Sequence, residues 1–201
     1  MRATLDKLIS GAGLLIAVLL IVAGGLLTWA STFINNQVVD QLGAQHITMP
    51  TTQTGLSELP ASDQAALKQY AGEKMTTGDQ AKAYANHYIA VHLNAAGGGK
   101  TYSEISGQYI QQCTTDPKAA ATKACTDLAS LRQTMFMGTT LRGLLLYGYA
   151  FATMGTIAGY GAITAFVGAA LMLLLAGIGF WHSRRAQKDV ATGTQSVGAP
   201  A

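Results

Sequence analysis

Two long apolar stretches, one near each end of the chain, dominate the pattern of hydrophobic and polar positions, and a segment of moderate hydrophobicity separates them. The first, residues 8–30 (LISGAGLLIAVLLIVAGGLLTWA), carries no charge. As a helix it reaches about 35 Å, enough for the ~30 Å hydrocarbon core of a bilayer. Arg2 and Lys7 precede it, and Trp29 stands at its far end, where an indole favours the membrane interface. Thr28-Trp29-Ala30 also has the small residues of a signal-peptide cleavage site, but the apolar run exceeds the roughly 7–15 residues of a signal core, so a retained transmembrane helix is expected.

The second apolar region is too long for one crossing. Between Arg142 and His182 lie 39 uncharged residues, about 58 Å of helix. Two crossings there would set Arg2 and Lys7 on the opposite side from Arg184, Arg185 and Lys188, against the positive-inside rule. A break at Gly159-Tyr160-Gly161 would also leave only 16 residues before it. The pattern therefore predicts a second span at residues 161–181, both termini cytoplasmic, and a flexible cytoplasmic tail at 182–201. Residues 131–158 then form an amphipathic helix at or outside the bilayer edge. Its polar residues Arg132, Thr139, Arg142, Tyr149, Thr153 and Thr156, spaced 7, 3, 7, 4 and 3 apart, fall on one stripe, opposite Phe136, Met137, Leu141, Leu144, Phe151 and Met154.

Residues 31–130 read as a small extracytoplasmic helical domain. Ser62 is the expected cap of a segment with Ala66, Leu67, Tyr70 and Ala71 on one face. Thr77-Gly78-Asp79-Gln80 and Thr101-Tyr102-Ser103-Glu104 have the form of capping boxes, and Asp116-Pro117 pairs a capping acid with a proline suited to a first helical turn. The helix after Thr77 should stop at Gly97-Gly98-Gly99. Residues 46–60 lack periodicity and read as a loop or extended connection, with a short strand around Ile47. Cys113 and Cys125, twelve positions apart, are expected to close one structural disulfide. The fold class is thus an all-α membrane protein, two transmembrane helices bracketing a small helical domain with one disulfide.

Charged residues make up 11% of the chain, against roughly a quarter in an ordinary soluble domain. The formal charge of +3 sits wholly at the ends: residues 8–182 hold eight basic and eight acidic side chains. The excess is an orientation signal, and it gives no reason to expect nucleic acid. Candidate chemistry is sparse. His87 and His92 are five apart and off the i, i+4 face of a zinc pair; no Gly-x-Ser-x-Gly elbow occurs. Gly99-Lys100-Thr101 ends like a phosphate loop, but Asn94 stands where the first glycine belongs and no strand precedes it, so no nucleotide is expected. No cofactor and no metal site are read, and the expected class is not an enzyme.

Small residues four apart, among them Gly13 and Ala17, Gly155 and Gly159, and Gly161 and Ala165, permit close helix contact in a bilayer, either between the chain's own spans or with a partner. Arg132, Thr139, Arg142, Tyr149, Gly155 and Gly159 are the candidate partner-interface residues. Residues 81–105 (AKAYANHYIAVHLNAAGGGKTYSEI) and the apolar helix from Leu131 (LRQTMFMGTTLRGLLLYGYAF) resemble a group of small actinobacterial membrane proteins with two spans and one external domain. The resemblance covers about two thirds of the chain. Some of that group bear the name aromatic ring-opening dioxygenase, which the residues here do not support, since no iron-binding pair of histidines with a carboxylate is visible. The reading that follows is a non-catalytic accessory subunit of a larger membrane complex, a respiratory-chain assembly being the first to test because such assemblies carry many small subunits. The alternative is a sensor or binding module with an apolar pocket among Tyr70, Tyr84, Tyr88 and Tyr102.

Overall fold

The computed structural model describes the backbone of residues 2–196 and the side chains of residues 4–185. Its regular structure is helical: α1 (Arg2–Gly43), a 3₁₀ turn (Leu56–Glu58), α2 (Ala61–Lys68), α3 (Gly78–Tyr84), a π-helical turn (Ala85–Ile89), α4 (Ala90–Gly97), α5 (Tyr102–Cys113), α6 (Pro117–Ala120) and α7 (Lys123–Ser196). α1 and α7 contain segments long and apolar enough to cross a membrane, Thr4–Gly43 and Lys123–Arg185. The chain divides into two compact units, one built from the segments up to Phe33 and from Gly155 onward, the other being Ile34–Met154.

The first unit is an antiparallel helix pair held by small residues. Ala17, Ala162, Ala165, Ala169 and Ala176 are buried along its seam. A Cβ placed on Gly161 would stand 3.3 Å from Leu27 Cδ1, and one on Gly168 3.3 Å from Leu20 Cδ1. Each glycine therefore receives a leucine from α1, the close approach that small-residue spacing permits. Gly155 is buried and its carbonyl accepts a 2.8 Å hydrogen bond from Ser31 Oγ; Gly159 lies beside the same serine. From Ser10 to Ser31 the contacts cover about 32 Å of α1, matching one bilayer core. Leucine, isoleucine and valine side chains cover the outer faces, with Trp29 exposed towards one end and Trp181 towards the other.

In the second unit, the end of α1 supplies Ile34, Val38 and Leu42, spaced four apart, to a core that includes Met49, Leu67, Met75, Ile89 and Leu145. The sequence pattern ended this helix at Ala30; it runs to Gly43 because that spaced trio finds a core, although Asn35, Asn36 and Gln37 dilute the local hydrophobicity. The connection after it is pinned by one antiparallel bridge between Thr48 and Lys74, with Met75 N–H donating to the Ile47 carbonyl at 2.9 Å. Both capping boxes form, with Gln80 N–H to Thr77 Oγ1 at 3.3 Å and Glu104 N–H to Thr101 Oγ1 at 3.3 Å. Asp116 caps α6 through Lys118 N–H at 2.9 Å. Gly98, at φ 58°, ends α4 in the left-handed region that glycine adopts without strain. α2 corrects the sequence reading: Pro60 takes the N-cap position, Ser62 lies inside the helix, and the helix closes at Lys68, leaving Tyr70 and Ala71 in a turn.

A smaller cluster joins α4, α5 and α7. Ile105 and Met135 are buried, and a Cβ on Gly97 would meet Met135 Cε at 3.2 Å and Ile105 Cδ1 at 3.5 Å. Beside it the Cys113–Cys125 disulfide, with Cα atoms 5.6 Å apart, ties the end of α5 to the start of α7. α7 itself passes through Gly159-Tyr160-Gly161 without interruption and its backbone stays helical to Ser196, where the sequence predicts a flexible tail. Arg184, Arg185, Ala186, Gln187 and Lys188 are strong helix formers that extend an existing helix at no nucleation cost. The remainder of the expected tail, residues 197–201, lies outside the described residues.

Candidate functional site

The polar stripe of α7 within Ile34–Met154 is used by the chain's own helices at three positions. Arg132 Nε donates to Ser106 Oγ on α5 at 3.0 Å, and its guanidinium lies 5.1 Å from the Tyr109 ring centroid. Arg142 Nη2 donates to Asn86 Oδ1, on the π-helical turn, at 3.0 Å. Its Nε is buried without a partner. Tyr149 accepts a 3.2 Å hydrogen bond from Lys82 Nζ on α3, and the same ammonium sits 4.4 Å from its ring centroid. Thr139 is exposed. Of the six candidate interface residues, Arg132, Arg142 and Tyr149 thus knit the domain together, and Gly155 and Gly159 knit the helix pair.

Turning that stripe inward leaves the apolar side of the same segment uncovered. Phe136, Met137, Leu144, Tyr147, Phe151 and Met154 are each between 49% and 67% exposed. From Met137 the spacing is 7, 3, 4 and 3 through Leu144, Tyr147, Phe151 and Met154, so these five share one side of the helix. Charged side chains are absent from this side. Large aromatic and methionine side chains on an open face are the composition of an interaction surface, because they offer much apolar area for few degrees of freedom. The sequence reading named most of this face but missed Tyr147, whose position three residues after Leu144 was the available signal.

The remaining groups singled out by sequence are occupied locally. His87 Nδ1 lies 2.8 Å from Asp63 Oδ1, and His92 Nδ1 lies 2.7 Å from the Tyr88 carbonyl. Among the described residues no three of His, Cys, Asp and Glu converge as metal ligands. Tyr84 and Tyr88 stack at 4.8 Å, Tyr88 lies 4.3 Å from the His92 ring, and Tyr70 packs on the core. Burial pushes the Tyr84 phenol up, with a smaller contribution from Tyr88. Tyr102 packs instead against Phe136, at 5.6 Å between centroids. The tyrosines therefore fill space against one another and against separate neighbours. Lys100, at the end of the glycine run, donates to Gln108 Oε1 at 3.3 Å.

No protein family, curated protein or solved structure matches the chain.

Proposed function

We propose that this protein is a non-catalytic accessory subunit of a larger membrane assembly, inserted as a helical hairpin with both termini cytoplasmic. Its extracytoplasmic domain docks on the partner through the apolar side of α7. The observation that carries this reading is the exposed face from Met137 to Met154, which the domain leaves open while Arg132, Arg142 and Tyr149 of the same helix bond to its other helices. About 58 Å of uncharged helix follows Arg142, nearly twice what one bilayer crossing hides. The excess is suited to burial against another membrane protein.

The test is copurification of the tagged full chain in mild detergent, with a photocrosslinking residue at Tyr147 and, as control, one at Lys82, on α3 and away from the apolar face of α7. A stoichiometric partner crosslinked from Tyr147 and not from Lys82 is expected. Recovery of free monomer alone overturns the reading. A respiratory partner would bring haem absorbance with it, so a visible spectrum of the purified material decides that narrower identification at once.

A further inference from the structure

Within the helix pair, at the end where α1 begins, a cleft of about 200 Å³ lies between α1 and α7. Asp6, Ser10 and Gly13 form one wall, and Leu175, Ala176 and Gly179 the other. It exists because two positions lack side chains. A Cβ on Gly179 would overlap Ser10 Oγ, and one on Gly13 would stand 3.8 Å from Ala176 Cβ, within the cleft. Ser10 is 96% buried, its exposure being 4%, and its hydroxyl makes no hydrogen bond among the described residues. Its oxygen keeps some accessible surface, so it can pair with a polar group that enters the cleft. Asp6 is one-third exposed, and His182 Nδ1 stands 3.5 Å from its Oδ2, too far for a strong hydrogen bond. Its carboxylate therefore keeps acceptor capacity towards the mouth. At the same end Trp181 is exposed with the Arg185 guanidinium 3.9 Å from its ring centroid, an arrangement that belongs at headgroup level.

The order of chemistry along α1 matches one class of amphiphile. Asp6 precedes Ser10 by about 6 Å of helix, and Ser10 precedes Gly13 by about 4.5 Å. From the mouth inward the cleft thus presents an anion, a hydroxyl and an apolar floor. We propose that it holds one phospholipid with a primary-amine headgroup. The ammonium donates to Asp6, a phosphate or ester oxygen accepts from Ser10, and the start of an acyl chain lies against Gly13, Leu175 and Ala176. A trimethylammonium headgroup has the charge but no N–H to donate, and an anionic headgroup meets the Asp6 carboxylate with like charge.

The experiment offers the full-length protein, in nanodiscs of equal parts phosphatidylethanolamine, phosphatidylcholine and phosphatidylglycerol, to native mass spectrometry after mild detergent release. One phosphatidylethanolamine per chain is expected, retained about tenfold over the other two. Asp6→Asn should bring phosphatidylethanolamine to parity with phosphatidylcholine, and Gly13→Val, which occupies the floor, should remove retained lipid altogether. Far-ultraviolet circular dichroism checks that each variant keeps its helices; should Asp6→Asn lose them, Ala176→Val narrows the cleft from the opposite wall and must abolish retention. Equal retention of phosphatidylcholine by the wild type, a preference for phosphatidylglycerol, or a preference that survives Asp6→Asn would each overturn the proposal.

Discussion

Gly78 is where one added carbon does the most damage to the helical domain. It opens α3 and is buried, and a Cβ there would overlap Ala152 Cβ on α7 and stand 3.1 Å from Tyr149 Cα. Neither neighbour can yield alone, since a methyl group has no torsion to rotate and a Cα belongs to the backbone of a long helix. Gly78→Ala must therefore push α3 off α7 at the turn below the Lys82–Tyr149 contact. Overpacking of this kind costs about 1–3 kcal/mol, and the helix-propensity gain that opposes it is at most ~1 kcal/mol and smaller at a first helical position. The expected net loss is about 1–2 kcal/mol, which for a domain of this size lowers the melting temperature by several degrees. Gly107→Ala is the control of opposite sign: it lies inside α5 with nothing within 4 Å of the added carbon, and it should gain up to ~1 kcal/mol. Both are read by thermal melts of the full chain in mild detergent, followed by near-ultraviolet dichroism of the domain's tyrosines. A Gly78→Ala protein that melts at or above the wild type, beside a raised Gly107→Ala, would refute the packing argument.

Two further expectations concern the same domain. Replacing Cys113 and Cys125 together by serine should cost about 3 kcal/mol on the chain-entropy account of a short closed loop, and an unchanged melting temperature would show that α5 and α7 hold each other without the bond. Thr101 N–H, and after it the Thr101 hydroxyl, donate to Glu104 and hold its carboxyl below the usual carboxylate range. Because the folded value is the depressed one, this contribution is complete above the unfolded value and is lost as pH falls through the folded value. The melting difference between wild type and Glu104→Gln should shrink as the pH falls from neutral through the ordinary carboxylate range and below it, and a difference that stays constant would count against the cap.

Local signals in this chain were the readable ones. Capping boxes at Thr77 and Thr101, the Asp116-Pro117 start, the Gly98 stop and the cysteine pair each depend on a few adjacent residues or on one spacing, and each forms. Features that depend on distant partners were harder. Ile34, Val38 and Leu42 extend α1 only because a core awaits them, and a window averaged over Asn35, Asn36 and Gln37 does not reveal that core. The stripe of Arg132, Arg142 and Tyr149 was visible as a stripe, but periodicity cannot say which side of a helix meets the chain itself. That was decided by Ser106, Asn86 and Lys82, which lie 26, 56 and 67 residues away from their partners. The cleft at Ser10 had no sequence signal beyond a serine and two glycines, since it arises from the register between α1 and α7.

The domain's core draws on residues from opposite ends of its own sequence: Leu42 packs where a Cβ on Gly148 would stand 3.5 Å from its Cδ2, and Leu145 closes the same cluster. During synthesis, the cluster around Val38 and Leu42 is therefore complete only after roughly a hundred further residues, about 5–20 s at ordinary elongation rates. Until the ribosome has delivered the first third of α7, the cluster lacks Leu145 and stays open on that side. An arrest of translation shortly before Leu145 would thus leave a nascent chain open to chaperones and proteases, and release of those last residues would close it in a single step.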